Sequence, residues 1–322
     1  IGRYLTLSIL GSGGMGVVYA AYDPELERKV ALKLLRPRAV TVDCARLLRE
    51  ARTLARVAHP NVVSVFDVGT LGDEVFVAME FVEGVTLSRW LRERPRTTRE
   101  LLEVFVAAAR GLAAAHRANV IHRDFKPDNV MVDGDRRVRV LDFGLARAGP
   151  GPALQQELEE TLASGSSAAL QDGLLTREGA LLGTPAYMAP EQWRRAAVTA
   201  SSDQFAFCVA LWEALFGERP FRGETMSALA RAVTVGKPEP PTASERRIAP
   251  YLRRVLERGL ATAPERRFAT MDDLLAALAR GPAQQRRRML GLGLGLAALV
   301  PAGVLGLRAQ RAASCVTAGA EI

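Results

Sequence analysis

The sequence predicts an α+β fold, with a mainly β region first, a mainly helical region after it, and a lone apolar helix beyond both. Three observations carry this. Between residues 4 and 82, short β-branched and aromatic runs are separated by Gly and Pro breaks, with one helical period among them. From Thr86 to residue 280 the apolar residues recur mostly at helical spacing. Residues 289–307 then carry no charge.

The 322 residues are 48% hydrophobic and 24% charged, enough for a large core and two or three folded units. Net charge is +8. A basic balance admits nucleic-acid binding, but the arginines are scattered and no aromatic-basic face accompanies them. The cluster Arg286-Arg287-Arg288 abuts the apolar run, where membrane flanking explains it better, so no nucleic-acid partner is expected. Cys44, Cys208 and Cys315 are odd in number and far apart, implying neither a disulfide framework nor a zinc site. The chain begins at Ile1 without a signal-peptide pattern, and both ends are expected to be cuts in a longer protein.

Residues 4–20 read as strand, Gly-rich turn, strand. Gly11-Ser12-Gly13-Gly14-Met15-Gly16-Val17-Val18 fits G-x-G-x-x-G-x-V. In a dinucleotide-binding fold such glycines would open a helix. Here Val17 to Tyr22 is β-branched and aromatic and reads as a strand. Glycines in the turn let its backbone approach phosphate oxygens. Val30-Ala31-Leu32-Lys33-Leu34-Leu35 is a buried-type strand holding one lysine. Lys is rarely buried unless paired; the alternative is an edge strand with a snorkelling side chain. Residues 43–58 read as a helix, with Leu47, Ala51, Leu54, Ala55 and Ala58 at helical spacing and Glu50 its one acid after the first turn. His59-Pro60 ends it, Asn61 to Val63 enters a strand, and Val75 to Val82 is another.

Thr86 to Asn119 is helical, with Leu101, Val104, Phe105, Ala108, Leu112 and Ala115 as one apolar stripe. Next comes His122-Arg123-Asp124-Phe125-Lys126-Pro127-Asp128-Asn129, read as a loop held between two short buried strands, Val120-Ile121 and Val130-Met131-Val132. Asp124 can accept a proton from a hydroxyl, Lys126 can neutralise a phosphate, and the Asn129 oxygen can ligate Mg²⁺. A turn at Asp133-Gly134-Asp135 brings Asp142, in Leu141-Asp142-Phe143-Gly144, towards Asn129 at one end of a hairpin. Residues 147–180 form a long polar insert with hydroxyls at Thr161, Ser164, Ser166 and Ser167, expected to be mobile. Ser202 to Glu213 is a strongly apolar helix opening on Asp203, which reads as its N-cap. A helix over 270–280 follows.

The 19 residues from Met289 to Leu307 would make a helix about 28 Å long, close to the roughly 30 Å hydrocarbon core of a bilayer. They read as a single transmembrane helix, with 281–288 as a basic juxtamembrane segment and 308–322 as the start of an extracytoplasmic region. A Gly-rich apolar linker and a soluble core helix are the alternatives.

His122-Arg123-Asp124-x-Lys126-Pro127-x-Asn129 followed by Asp142-Phe143-Gly144 resembles the catalytic core of protein kinases, and the Lys two residues after Asp124 resembles the serine/threonine class. Phe125 stands where Leu is usual and reads as a packing variant. Gly183-Thr184-Pro185-Ala186-Tyr187-Met188-Ala189-Pro190-Glu191 resembles the segment that ends the activation loop in bacterial, Hanks-type members. The resemblance covers residues 4–280 and implies a two-lobed protein-kinase fold. Residues 4–82 would be a small, mainly antiparallel β lobe with one regulatory helix, and 83–280 a larger, mainly α-helical lobe. Residues 145–183 would be a long activation loop.

The resemblance implies ATP and Mg²⁺ as cofactors, with Mn²⁺ as a substitute. Leu10, Gly11, Ser12, Gly13, Gly14, Met15, Gly16 and Val18 would cover the nucleotide. Ala31, Met79 and Met131 would line its pocket, and the Glu80 carbonyl and Val82 N–H would bond the adenine. Lys33, oriented by Glu50, would position the α/β-phosphates, and Asn129 and Asp142 would hold the metal. Asp124 would accept the substrate hydroxyl proton while Lys126 offsets charge on the γ-phosphoryl. Asp203 would accept bonds from the backbone near His122 and Arg123, Glu191 would pair with Arg267 in Pro264-Glu265-Arg266-Arg267-Phe268, and Thr184 would bond Asp124 and Lys126. Arg123, an unpaired guanidinium, would await a loop phosphate, on Thr176 first and on Ser164, Ser166 or Ser167 behind it.

These expectations add up to an ATP-dependent kinase of protein Ser and Thr hydroxyls, anchored in the cytoplasmic (inner) membrane with its catalytic domain in the cytoplasm. Small residues on one face of the span admit a homodimer. The alternative, a pseudokinase scaffold, needs a missing Lys, Asp or Asn, and none is missing.

Overall fold

The β-branched runs near the N-terminus pair as neighbours. In the computed structural model, β1 (Leu5–Gly13), β2 (Gly16–Asp23), β3 (Arg28–Leu35), β4 (Val65–Leu71) and β5 (Glu74–Glu80) form one antiparallel sheet in the order β1-β2-β3-β5-β4. The structure describes residues 1–13, 16–35, 44–72, 74–143, 184–239 and 248–280. The chain divides into two units, Ile1–Leu275 and Ala276–Ile322. The second is described only over 276–280, which are helical; the account below concerns the first.

Gly16 joins β1 to β2 with φ +145°, and a Cβ there would lie 1.9 Å from the Leu34 carbonyl oxygen. Only glycine fits that approach. Strand alternation gives the sheet two working faces. On one, Tyr4, Ala21, Val30, Leu32, Leu34, Phe76 and Ala78 form a core. On the other, Leu35, Ala51, Val63, Val75, Val77 and Met79 pack with Ala31, Leu48 and Leu141, which brings α1 (Cys44–Leu54) onto the sheet. The helix is shorter than the expected 43–58, because Arg56 and Val57 N–H groups bond carbonyls three residues back in a tightening turn. The strand expected at Asn61 is a single parallel bridge, Val62 to Val140, and regular pairing begins at Val65.

In the large lobe β6 (Gly84–Thr86), β7 (Val130–Asp133) and β8 (Val138–Val140) form a second antiparallel sheet. The helical stretch 86–119 is built as two helices. Thr86 caps α2 (Leu87–Glu93), accepting from Arg89 N at 3.3 Å. Pro95 interrupts, and a capping box between Thr97 and Glu100 starts α3 (Thr98–Arg117). Leu101, Val104, Phe105, Ala108, Leu112 and Ala115 are all buried, as their spacing predicts. Val120-Ile121 is not a strand: Val120 N–H bonds back to the Ala115 carbonyl at the helix end.

After the short α4 (Pro190–Trp193) comes α5 (Ala200–Phe216), buried on nearly every side and packed on α3 and on α7 (Pro250–Gly259). In sequence, α6 (Met226–Val235) comes between α5 and α7 and packs on α4. The N-cap of α5 is Thr199, in a capping box with Ser202. Asp203, expected as the cap, lies inside the first turn, free to point elsewhere. A chain of rings runs from α3 to the loop of residues 122–129: Phe105 to Phe207 at 5.8 Å, Phe207 to Phe125 at 5.8 Å, Phe125 to His122 at 5.7 Å, and His122 to Phe143 at 4.7 Å. Truncating a buried Phe in such a cluster costs about 3–5 kcal/mol. Phe125, in place of the usual Leu, extends this contact from α5 to the loop.

Candidate active site

The loop of residues 122–129 is held from below by one carboxylate. Asp203, 1% exposed, accepts from His122 N at 2.7 Å, Arg123 N at 2.7 Å and His116 Nε2 at 2.8 Å. A buried charge is tolerable only when so satisfied. The backbone above it is strained: Arg123 has φ +66° and Asp142 φ +51°, uncommon for non-glycine residues. His122 is fully buried, and that burial pushes its pKa down against the opposing pull of Asp203 and Asp124. The imidazole is therefore neutral. Nε2–H donates to the Leu141 carbonyl at 2.8 Å, and Nδ1 accepts from Asp124 N–H at 3.4 Å. His122 thus ties the loop to the strand end that carries Asp142.

Above this floor the polar side chains converge. Asn129 Nδ2 donates to the Asp124 carbonyl at 2.8 Å, which leaves the amide oxygen as an acceptor. Leu141 N–H donates to the Asn129 carbonyl at 2.8 Å, so Asn129 and Asp142 are joined through one backbone bond. Lys126 Nζ lies 3.2 Å from Asp124 Oδ2, and Lys33 Nζ lies 2.8 Å from Asp142 Oδ1. The site therefore pairs each carboxylate with a cation, Asp142 with Lys33 and Asp124 with Lys126.

Two expectations are corrected here. Lys33 is not paired with Glu50; its partner is Asp142. Glu50 instead accepts from Arg123 Nη1 at 3.1 Å. Arg123 is accordingly not an unpaired guanidinium. The physical reason is local competition: the left-handed backbone at Asp142 presents its carboxylate to Lys33, and each half-buried cation settles on its nearer carboxylate. Among the nucleotide-pocket residues, Ala31 pairs with Met79 across β3 and β5, Val18 pairs with Lys33 across β2 and β3, and Met131 sits on β7 opposite Thr86. Leu10 is half exposed on β1, where Gly11, Ser12 and Gly13 follow it. Gly14, Met15 and Thr176 lie outside the described residues, as does the Thr184 side chain.

Glu191 and Arg267 meet in the large lobe through two parallel bonds of 2.8 Å, both side chains buried. Burial pushes the Glu191 carboxyl up, but the Arg267 bonds and the Ser202 hydroxyl outweigh it, and the net shift is down. Arg267 also donates to the Ala261 and Ser201 carbonyls, so its guanidinium is fully engaged.

Sequence reasoning missed three further contacts. Glu80 was noted for its backbone alone, yet its carboxylate receives Arg139 Nε at 3.1 Å. Gln192 Nε2 donates to the Arg123 carbonyl at 2.9 Å and fixes the strained residue from α4. His116 reaches Asp203 from the last turn of α3. His116 alone left a trace, a lone His near the end of an apolar stripe; the others are long-range polar contacts with no local pattern.

Comparison with known proteins places this geometry. The protein kinase domain family matches residues 4–277. The serine/threonine-protein kinase PknB of Mycobacterium tuberculosis is 36% identical over 290 residues, covering 86% of this chain and 42% of the relative. The serine/threonine-protein kinase pkn3 of Myxococcus xanthus is 35% identical over 301 residues, covering 89% of this chain and 51% of the relative. The chain thus spans about half, or less, of these relatives' length. Among solved structures, the PknI kinase domain of Mycobacterium tuberculosis superposes with a TM-score of 0.64 at 25% identity, covering 86% of this chain and 95% of that one.

Proposed function

The chain belongs to the protein kinase domain family, and on that premise we propose that it is a bacterial Hanks-type serine/threonine kinase, transferring the γ-phosphoryl group of ATP to protein Ser and Thr hydroxyls. One juxtaposition carries the reading: Asp124 with Lys126 at 3.2 Å, beside Asp142 with Lys33 at 2.8 Å, the backbones of the two aspartates linked through Asn129 and Leu141. The donor set fits Mg²⁺. Asn129 and Asp142 offer hard oxygens, and the ion would take its remaining ligands from phosphate. When bound, that ion would neutralise phosphate charge.

The chain's own groups supply the rest. Asp124 stands to take the proton of the attacking hydroxyl, a role worth roughly 10²- to 10⁴-fold. Lys126, already beside it, faces the charge that develops on the transferred group. Lys33 is held at the phosphate side by Asp142. Catalysis here is positioning and electrostatics. Arg123, held by Glu50, is the regulatory contact: a phosphate on loop 145–183, first on Thr176, would offer Arg123 a bidentate partner and release Glu50 towards Lys33.

The test is transfer of labelled phosphate from ATP with Mg²⁺ by the purified chain. Lys33→Met and Asp142→Asn should each lower it by at least about 100-fold, with the folded helical signal retained. Activity within a few fold of the parent in both variants would remove the mechanism.

A further inference from the structure

Arg123 directly precedes Asp124 and has a left-handed backbone, φ +66°. A non-glycine residue stays in that region only where its surroundings hold it there. Both of its backbone polar groups are held, from different elements. Its N–H donates to Asp203 Oδ1 of α5 at 2.7 Å, and its carbonyl accepts from Gln192 Nε2 of α4 at 2.9 Å. That carbonyl belongs to the peptide joining Arg123 to Asp124. The Asp124 N–H of the same peptide lies 3.4 Å from His122 Nδ1, a longer and weaker bond. The Gln192 amide is the tighter of these two tethers on the plane of the peptide that places Asp124.

The other half of the same amide faces α4 itself. Gln192 Oε1 accepts from the Ala189 N–H at 2.9 Å, while the Gln192 N–H donates to the Ala189 carbonyl at 2.9 Å. The amide has one workable orientation, because its reversal would set Nε2 against an N–H and Oε1 against a carbonyl. Closing the start of a helix uses only the Oε1 bond. The NH₂ group points out of α4 to another element. Its base is firm: Ala189 and Glu191 are buried, and Arg267 grips Glu191 through two bonds of 2.8 Å. The void bordered by Arg123, Asp124, Met188, Gln192 and Asp203 measures about 10 Å³, at the lower limit for a single water. Solvent has little room to take the amide's place.

We propose that Gln192 is a positioning residue for phosphoryl transfer: it ties Ala189, near the end of the segment 183–191, to the peptide that carries Asp124, so that the seating of that segment sets the aim of the Asp124 carboxylate. The inference rests on the kinase reading above. With the amide removed, the Arg123 carbonyl loses its donor where water has little access. Turning the 123–124 peptide then relieves the left-handed strain and swings Asp124 away from the attacking hydroxyl. Lys33 and Asp142 pair with each other on the nucleotide side and make no bond to Gln192, so nucleotide binding is spared.

The experiment separates the two halves of the amide. Gln192→Glu keeps the acceptor for Ala189 and sets a carboxylate against the Arg123 carbonyl. Gln192→Lys loses that acceptor and keeps a donor able to reach the carbonyl. Rates are measured on Ser and Thr peptides with ATP and Mg²⁺. Each kcat is expressed per nucleotide-binding site, titrated with a fluorescent ATP analogue, so unfolded chain drops out. Gln192→Glu should lower kcat by about 10- to 100-fold, the scale of a small misplacement of a reacting group, with the KM for ATP within about twofold of the parent. Gln192→Lys should be at least about fivefold faster than Gln192→Glu, because the bond to Arg123 is restored. Where Gln192→Glu does not fold, Gln192→Met, which keeps the length and neither bond, takes its place. A strap that serves stability alone would cost binding sites and leave kcat per site unchanged. The inference falls if kcat per site stays within about threefold of the parent, if a raised KM for ATP accounts for the loss, or if Gln192→Lys is as slow as the variant it is compared with. It also falls if neither Gln192→Glu nor Gln192→Met folds, since the role is then structural. A parent that transfers phosphate to no peptide would instead remove the kinase reading.

Discussion

His122 is a buried polar residue with no direct part in phosphoryl transfer, yet it joins three parts of the site: Asp124, Leu141 and the Phe143 ring. Because burial holds its imidazole neutral in the fold, the unfolded chain binds a proton near pH 6.5 that the folded protein does not. Stability is therefore complete above that pH and falls as the pH drops below it, with a slope of at most about 1.4 kcal/mol per unit from this one group. His59, also shifted down by burial and by Arg117, Arg110 and Arg139, adds in the same direction. The urea midpoint followed from about pH 7.5 to 5.5 should fall more steeply for the parent than for His122→Asn; parallel curves would mean the histidine is not the source. Single residues were the best-read level of the sequence. Asp124, Lys126, Asn129 and Asp142 stand within one connected site because their spacing in a loop and a hairpin dictates it. Partner choice was not readable. Glu50 lies on the helix where it was expected, yet Arg123 takes it, and that depends on distances between elements remote in sequence.

Among elements, the segment around Arg267 illustrates how the large lobe is fastened. Arg267 follows a one-turn 3-10 segment, Pro264–Arg266, and reaches α4 through Glu191 and the start of α5 through the Ser201 carbonyl. Three elements converge on one buried guanidinium. Arg267→Ala would leave Glu191 buried without its cation, with the Ser202 hydroxyl its remaining donor, and should cost about 3–5 kcal/mol by denaturant unfolding. The Glu191→Gln, Arg267→Met pair should recover part of the loss, since it removes both charges together. A melting curve for Arg267→Ala that overlays the parent would sink the assignment. Helices and strands with strong periods were legible, as the α3 stripe and the β3 run show. Their ends were less so. The break at Pro95 and the cap at Thr199 were present in the sequence, but continuous apolar spacing in one case and the more obvious Asp203 in the other masked them. The isolated bridge at Val62 depends on β8, far along the chain, and no local pattern announces it.

At the scale of the whole molecule, residues 4–277 are a protein kinase domain, and the remaining question is where that domain is held. Among the described residues no helix is long and apolar enough to cross a membrane. The 289–307 run lies outside them, so the case rests on its sequence: nineteen uncharged residues of about 28 Å as a helix. Kinase activity needs ATP, which would place the N-terminal side of such a span in the cytoplasm. Arg286, Arg287 and Arg288 on that side agree with the positive-inside bias, while Arg308 and Arg311 beyond it reduce the asymmetry. Gly291, Gly295, Ala298, Ala302 and Gly306 recur on one helical face and would let a second span approach closely, pairing two chains. Two domains so tethered would meet at raised effective concentration, which favours phosphorylation of one loop by its neighbour. A reporter fused to residues 281–322 should sediment with membranes and resist alkaline extraction, and replacing Gly291 and Gly295 with Leu should weaken its self-association without releasing it. Recovery of the fusion in the soluble cytoplasm would sink the anchor and the dimer together.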